Sequence, residues 1–140
     1  MDQPQSAMAQ KIAQAARASQ HERTGHLPES VTVVQSEGTL VITLHGALSP
    51  AEQTLAGSRE GADKVQEFHR QLFNNSSELL RKEIESITGV AVREAAAEVD
   101  TSNGSMVHAF TTGTMVQVFL LAGRIPGQTW NASEHVQKSH

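Results

Sequence analysis

The sequence predicts an α+β domain: an N-terminal helix, a β-hairpin, a long or broken helix, then a second β-hairpin with an additional strand. Three observations predict it. Residues 31–45 alternate β-branched and large apolar residues with polar ones about a Glu37-Gly38 reversal. Residues 55–87 space Leu, Val, Phe and Ile at helical intervals, and residues 90–121 return to strand-rich sequence around Asn103-Gly104. Hairpin, helix, hairpin is the order expected of an antiparallel or mixed sheet with the helix laid across one face.

The 140 residues suit a single domain able to bury its own core. We expect residues 1–25 to be a helical extension, 26–121 the α+β core and 122–140 an irregular tail carrying Trp130. Residues 5–20 are rich in Ala, Gln, Lys and Arg, which favour helix, but the stripe Met8, Ile12, Ala15, Ala16 is thin. That helix needs a neighbour. Pro28 then disfavours helix, so residues 24–28 read as a turn.

In the first hairpin a two-residue loop at Glu37-Gly38 sets Val33 opposite Ile42 and Val31 opposite Leu44. Gly38 supplies the positive φ of the tight turn. Val31, Val33, Leu40, Ile42 and Leu44 then share one face, while Thr32, Val34, Val41 and Thr43 share the other. The corner that follows is Gly46-Ala47-Leu48-Ser49-Pro50-Ala51-Glu52. Ser49 at the N-cap, Pro50 at N1 and Glu52 at N3 form a capping box, with proline where its missing N–H matters least.

Leu55, Ala62, Val65, Phe68, Leu72, Leu79, Leu80, Ile84 and Ile87 mark the apolar face of the next helical stretch. The segment 74–77 weakens it, and Asn75 with Glu78 offers a second capping box. Gly57 and Gly61 fall within this stretch and leave room for another backbone; Gly89 ends it. In the second hairpin, a loop at Asn103-Gly104 sets Ala97 opposite Phe110 and Val99 opposite His108. Residues 114–121 form the added strand. Its apolar residues do not alternate cleanly, so a helix or a second subunit is expected over each face.

Gly46, Leu48, Ser49, Pro50, Ala51 and Glu52, then Gly61, then Ile87, Thr88, Gly89, Val90 and Val92 carry a family resemblance. Together they resemble the DUF2294 family, the C component associated with a sodium-translocating, membrane-potential-generating system. The resemblance spans residues 21–111 and implies a small α+β protein that associates rather than catalyses. Three positions differ from the family pattern. Residues 24–28 lack its basic turn, Glu98 stands where aspartate is common, and Ser49 replaces threonine. Residues 114–140 lie outside the pattern.

Composition limits the function classes. Eleven Lys and Arg against fifteen Asp and Glu give a formal charge of −4, without the broad positive field that nucleic-acid binding uses. No nucleic-acid partner is expected. The absence of cysteine excludes disulfides and thiolate chemistry. No apolar run approaches the length of a membrane span, and the first residues lack a signal-like apolar core. A cytoplasmic protein is expected, peripheral to a membrane through an integral-membrane partner.

No motif assembles a reaction centre. Gly57-Ser58-Arg59-Glu60-Gly61 lacks the lysine and hydroxyl of a phosphate loop, and no serine sits in a nucleophile elbow. The seven histidines show no metal-ligand spacing. No catalytic residue, cofactor or metal is therefore assigned. The leading expectation is a non-catalytic binding or assembly protein, most simply a homodimer, joined through Val116, Val118 and Leu120, with Arg59 and Glu98 as polar contacts. The alternative is a small-molecule or metal-dependent enzyme whose site gathers His45, His108, Glu98 and Arg59 by tertiary folding.

Overall fold

The computed structural model describes residues 7–100 and 113–125. The elements in order are α1 (Ala7–Thr24), β1 (Ser30–Ser36), β2 (Thr39–His45), α2 (Pro50–Leu55), α3 (Arg59–Ser76), α4 (Glu78–Thr88), β3 (Val92–Asp100) and β4 (Thr114–Leu121). The α+β class follows from one four-stranded antiparallel sheet, with α1 packed on β1 and α3 and α4 packed against β3.

The first hairpin has the expected register, with Val33 paired to Ile42 and Val31 to Leu44. Glu37 and Gly38 both take positive φ, as its tight turn requires. The sheet order is β1-β2-β4-β3, so β4 is no appendage: it joins the hairpin to β3. Its partners correct the expected second hairpin. Ala97 pairs with Gln117 and Val99 with Met115, where Phe110 and His108 were expected. Residues 106–112 lie outside the described residues. The Asn-Gly turn rule looks for the nearest partner strand, whereas this pairing spans a longer connection.

Alternation then sorts the side chains. Val33, Leu40, Ile42, Leu44, Ala97, Val99, Met115, Phe119 and Leu121 are buried on the helix-covered side. Helix α1 adds Met8, Ala9, Ile12, Ala15 and Ala16 to the same core and packs on β1 and α4. The thin stripe suffices because small alanines let the helix approach closely.

The helical stretch is three helices. The first break falls at Gly57, and Ser58 caps α3 by accepting from the Gly61 amide at 3.0 Å. The Gly57–Gly61 segment is therefore a corner, not the helix interior expected. A Cβ on Gly61 would lie 1.8 Å from the Leu55 carbonyl oxygen, so its bareness serves packing within this chain. The second break is at Ser77, which is buried and forms no side-chain cap; the Asn75–Glu78 box does not form. Gly89 takes φ 76° and closes α4 as expected.

Three core assignments are overturned. The buried positions of α3 are Gly61, Ala62, Val65, His69 and Phe73, whereas Phe68 is 53% exposed. Phe73 meets Phe119 edge-on with centroids 5.9 Å apart. Leu55 and Leu79, also read as core, are exposed as well.

Candidate assembly surface

The side of the sheet away from the helices carries its own pattern. Val34 on β1, Val41 on β2, Val118 on β4 and Ala96 on β3 are successive cross-strand partners. They form one apolar row across all four strands. Thr32, Thr43, Val116 and Glu98 make the row on one flank; Ser36, Thr39, Leu120 and Glu94 make the other. Among the described residues no helix lies over this side: Thr32, Val34, Glu94, Ala96 and Glu98 are all exposed. Val116, Val118 and Leu120 are half-buried in the middle of it. The uneven run of apolar residues in β4 is thus explained. From Met115 on, its odd-numbered positions face the core and its even-numbered ones face out, and both sets are apolar apart from the buried Gln117.

The polar contacts expected beside this surface separate. Glu98 is gripped by Arg70 of α3, with Nε and Nη2 each donating at 3.1 Å to one carboxylate oxygen. Arg70 also bonds Glu67, and Gln66 of the same helix donates to the Val99 carbonyl at 3.1 Å. Helix α3 therefore lies along the outer edge of β3 and occupies hydrogen-bonding groups there. Arg59 is exposed at the first residue of α3. His45 ends β2, His108 lies outside the described residues, and Glu98 is committed to Arg70. Among the described residues no group of three or more His, Asp or Glu side chains could hold a metal ion.

The structural corner is fully formed. Glu52 Oε1 accepts from the Ser49 amide at 2.9 Å and from the Ser49 hydroxyl at 3.1 Å, while the Glu52 amide donates back to Ser49 Oγ at 3.3 Å. Sequence reasoning missed what the second oxygen does. Glu52 Oε2 meets His69 Nε2 at 2.7 Å, and that imidazole is only 2% exposed. The carboxylate stands between hydroxyl and imidazole, so His69 cannot draw a proton from Ser49. This is a brace between α2 and α3, without the geometry of a nucleophile relay. Burial by itself raises the Glu52 carboxyl, but bonds from Ser49 and His69 and the His69 charge outweigh it and hold the group below its ordinary value.

Over residues 5–114 the chain matches the family described as the Na+-translocating membrane potential-generating system, MpsC. The chain belongs to this family. The resemblance carried by the corner, by Gly61 and by residues 87–92 therefore stands, and the MpsC match also takes in α1. Val116, Val118 and Leu120 lie beyond its end. An uncharacterized protein, YbcI, of Bacillus subtilis (strain 168) is 30% identical over 71 residues, 51% of this chain. The matched stretch spans 57% of that relative's length. No solved structure matches. No described helix is long and apolar enough to cross a membrane, so the MpsC-family chain presents no described span for a membrane system.

Proposed function

We propose that this chain is a non-catalytic assembly component of a sodium- or membrane-energy-linked system. In this reading it works at the cytoplasmic face, peripheral to the membrane, binding an integral-membrane partner and a second copy of itself. The observation that carries it is the apolar row Val34–Val41–Val118–Ala96 on a sheet side that no described helix covers. A row of this kind, flanked on each side by hydroxyl residues on β1 and β2, an apolar residue on β4 and a carboxylate on β3, is what sheet-on-sheet packing buries at about 10 Å spacing. The family supports the membrane association.

The enzyme reading has less support. Of its four residues, Glu98 is tied to Arg70, and the cavity described below has none of His45, Arg59 or Glu98 in its lining.

Sedimentation velocity on the full chain tests the assembly reading. A dimer at micromolar concentration, lost in Val118→Lys with unchanged circular dichroism, is the expected result. A wild-type monomer at every concentration up to the millimolar range would overturn self-association.

A further inference from the structure

The C-terminal end of α1, the end of α3 and the start of α4 surround a cavity of about 920 Å³. That is large enough for a drug-sized ligand or several side chains of a docked helix. Its lining has two characters. Leu72, Leu79 and Leu80 supply an apolar surface, and Leu79 is 69% exposed, a poor position for a leucine with nothing upon it. Glu22, Glu78 and Glu83 supply three carboxylates, none of which has a hydrogen-bond or ion-pair partner among the described residues.

The cations in the lining do not neutralise these acids. Arg23 lies over the Phe73 ring, 5.2 Å from its centroid, and donates to Gln20 Oε1 at 3.2 Å. Its Nη1 is buried and has no partner among the described residues. Burial lowers it to about 10, so it stays charged at neutral pH, but as a wall of the cavity. His21 is the other basic group in the lining. Two helix C-termini, those of α1 and α3, add their negative ends to the same place, opposed by the single N-terminus of α4.

From this juxtaposition we propose that the α1/α3/α4 cavity receives a basic amphipathic helical segment of the integral-membrane partner. Apolar side chains of that segment cover Leu72 and Leu79, and Lys or Arg side chains meet Glu22, Glu78 and Glu83. The inference rests on the assembly reading above. Cytoplasmic segments flanking membrane spans carry an excess of Lys and Arg, which makes this chemistry the natural complement of an acidic cavity with an apolar floor. An anionic lipid surface would instead be repelled.

The test uses the full chain and three synthetic peptides: a Leu/Lys amphipathic helix, its Leu/Glu counterpart, and an oligolysine of equal charge. Calorimetry is expected to show binding of the Leu/Lys peptide, weaker binding of oligolysine, and none of the Leu/Glu peptide. Glu78→Gln with Glu83→Gln should weaken the Leu/Lys peptide by about tenfold, a rim-charge effect that rises in low salt. Glu60→Gln with Asp63→Asn, the same charge change on the exposed side of α3, should leave it unaltered. Leu79→Ser should weaken it at constant charge, and amide NMR shifts should map to α1, α3 and α4. Absence of binding, equal loss in the two charge-matched variants, or equal binding of the Leu/Glu peptide would each overturn the proposal. Val118→Lys should bind the Leu/Lys peptide normally. An intact dimer that ignores the peptide removes the cavity inference alone, and a monomer that binds it removes self-association alone.

Discussion

Glu52 and His69 stand 2.7 Å apart across the corner between α2 and α3, with the imidazole sealed in the core and the carboxylate also closing a capping box. One side chain thus completes the capping box of one helix, where Ser49 is the cap, and pairs with the buried polar group of the next. Removing it with Glu52→Ala leaves the Ser49 Oγ cap but frees the Ser49 amide and orphans His69, and should cost about 2–3 kcal/mol in denaturant unfolding. The same pair gives a pH dependence. The folded-state pKa of Glu52 is depressed, so its contribution is complete above the unfolded value of about 4.3 and is lost as pH falls through the folded value. Melting temperature in the wild type should therefore fall faster below about pH 4.3 than in Glu52→Gln. Parallel slopes in the two proteins would show that the carboxylate is not linked to folding.

Gly61 is required by a backbone approach, since a Cβ there would sit 1.8 Å from the Leu55 carbonyl oxygen. A carbonyl cannot swing aside as a flexible side chain can. Gly61→Ala must push α2 from α3 and should destabilise by about 2–4 kcal/mol or more, near the upper end for single substitutions. Gly123→Ala is the control: nothing lies within 4 Å of its added methyl. Thermal melts of the two variants should differ widely.

Phe68 and Phe73 lie on opposite sides of the same helix in the consequences of their loss. Phe73 is 1% exposed and touches Phe119, so Phe73→Ala should cost about 3–5 kcal/mol. Phe68 is half in solvent, and Phe68→Ser should stay within about 0.5 kcal/mol. Equal losses in chemical denaturation would contradict the helix rotation described.

That pair also shows where the sequence stops being readable. Positions 65, 68 and 72 fit a helical stripe, but so do 62, 65, 69 and 73, and hydropathy prefers a phenylalanine to a histidine. Only the carboxylate of Glu52, seventeen residues earlier, makes His69 an acceptable core residue. Local rules did serve where the partner is local: the first hairpin register, the Ser49-Pro50-Glu52 corner and the Gly89 stop all follow from neighbours a few residues apart. The place of β4 did not follow, because strand order depends on contacts far apart in the chain. Of the candidate assembly surface, Val116, Val118 and Leu120 are legible in the sequence as surplus apolar residues. Val34, Val41 and Ala96 join them only once the strands are set side by side.

Gln117 lies between two of those surface valines in sequence but faces the opposite way, into the core. It is wholly buried opposite Ile42 and Ala97, and among the described residues neither its amide nitrogen nor its amide oxygen has a partner. An orphaned buried amide is unfavourable, and replacing it by an apolar group of similar volume removes that penalty. Gln117→Leu should therefore raise stability by about 1–3 kcal/mol in denaturant titration. Gln117→Glu, which would bury a charge without a partner, should lower it sharply. Because this side chain points away from Val116 and Val118, Gln117→Leu should leave the proposed self-association unchanged. A less stable Gln117→Leu protein would mean the amide is satisfied inside the fold, and a change in self-association would mean that the two sides of the sheet are coupled through β4.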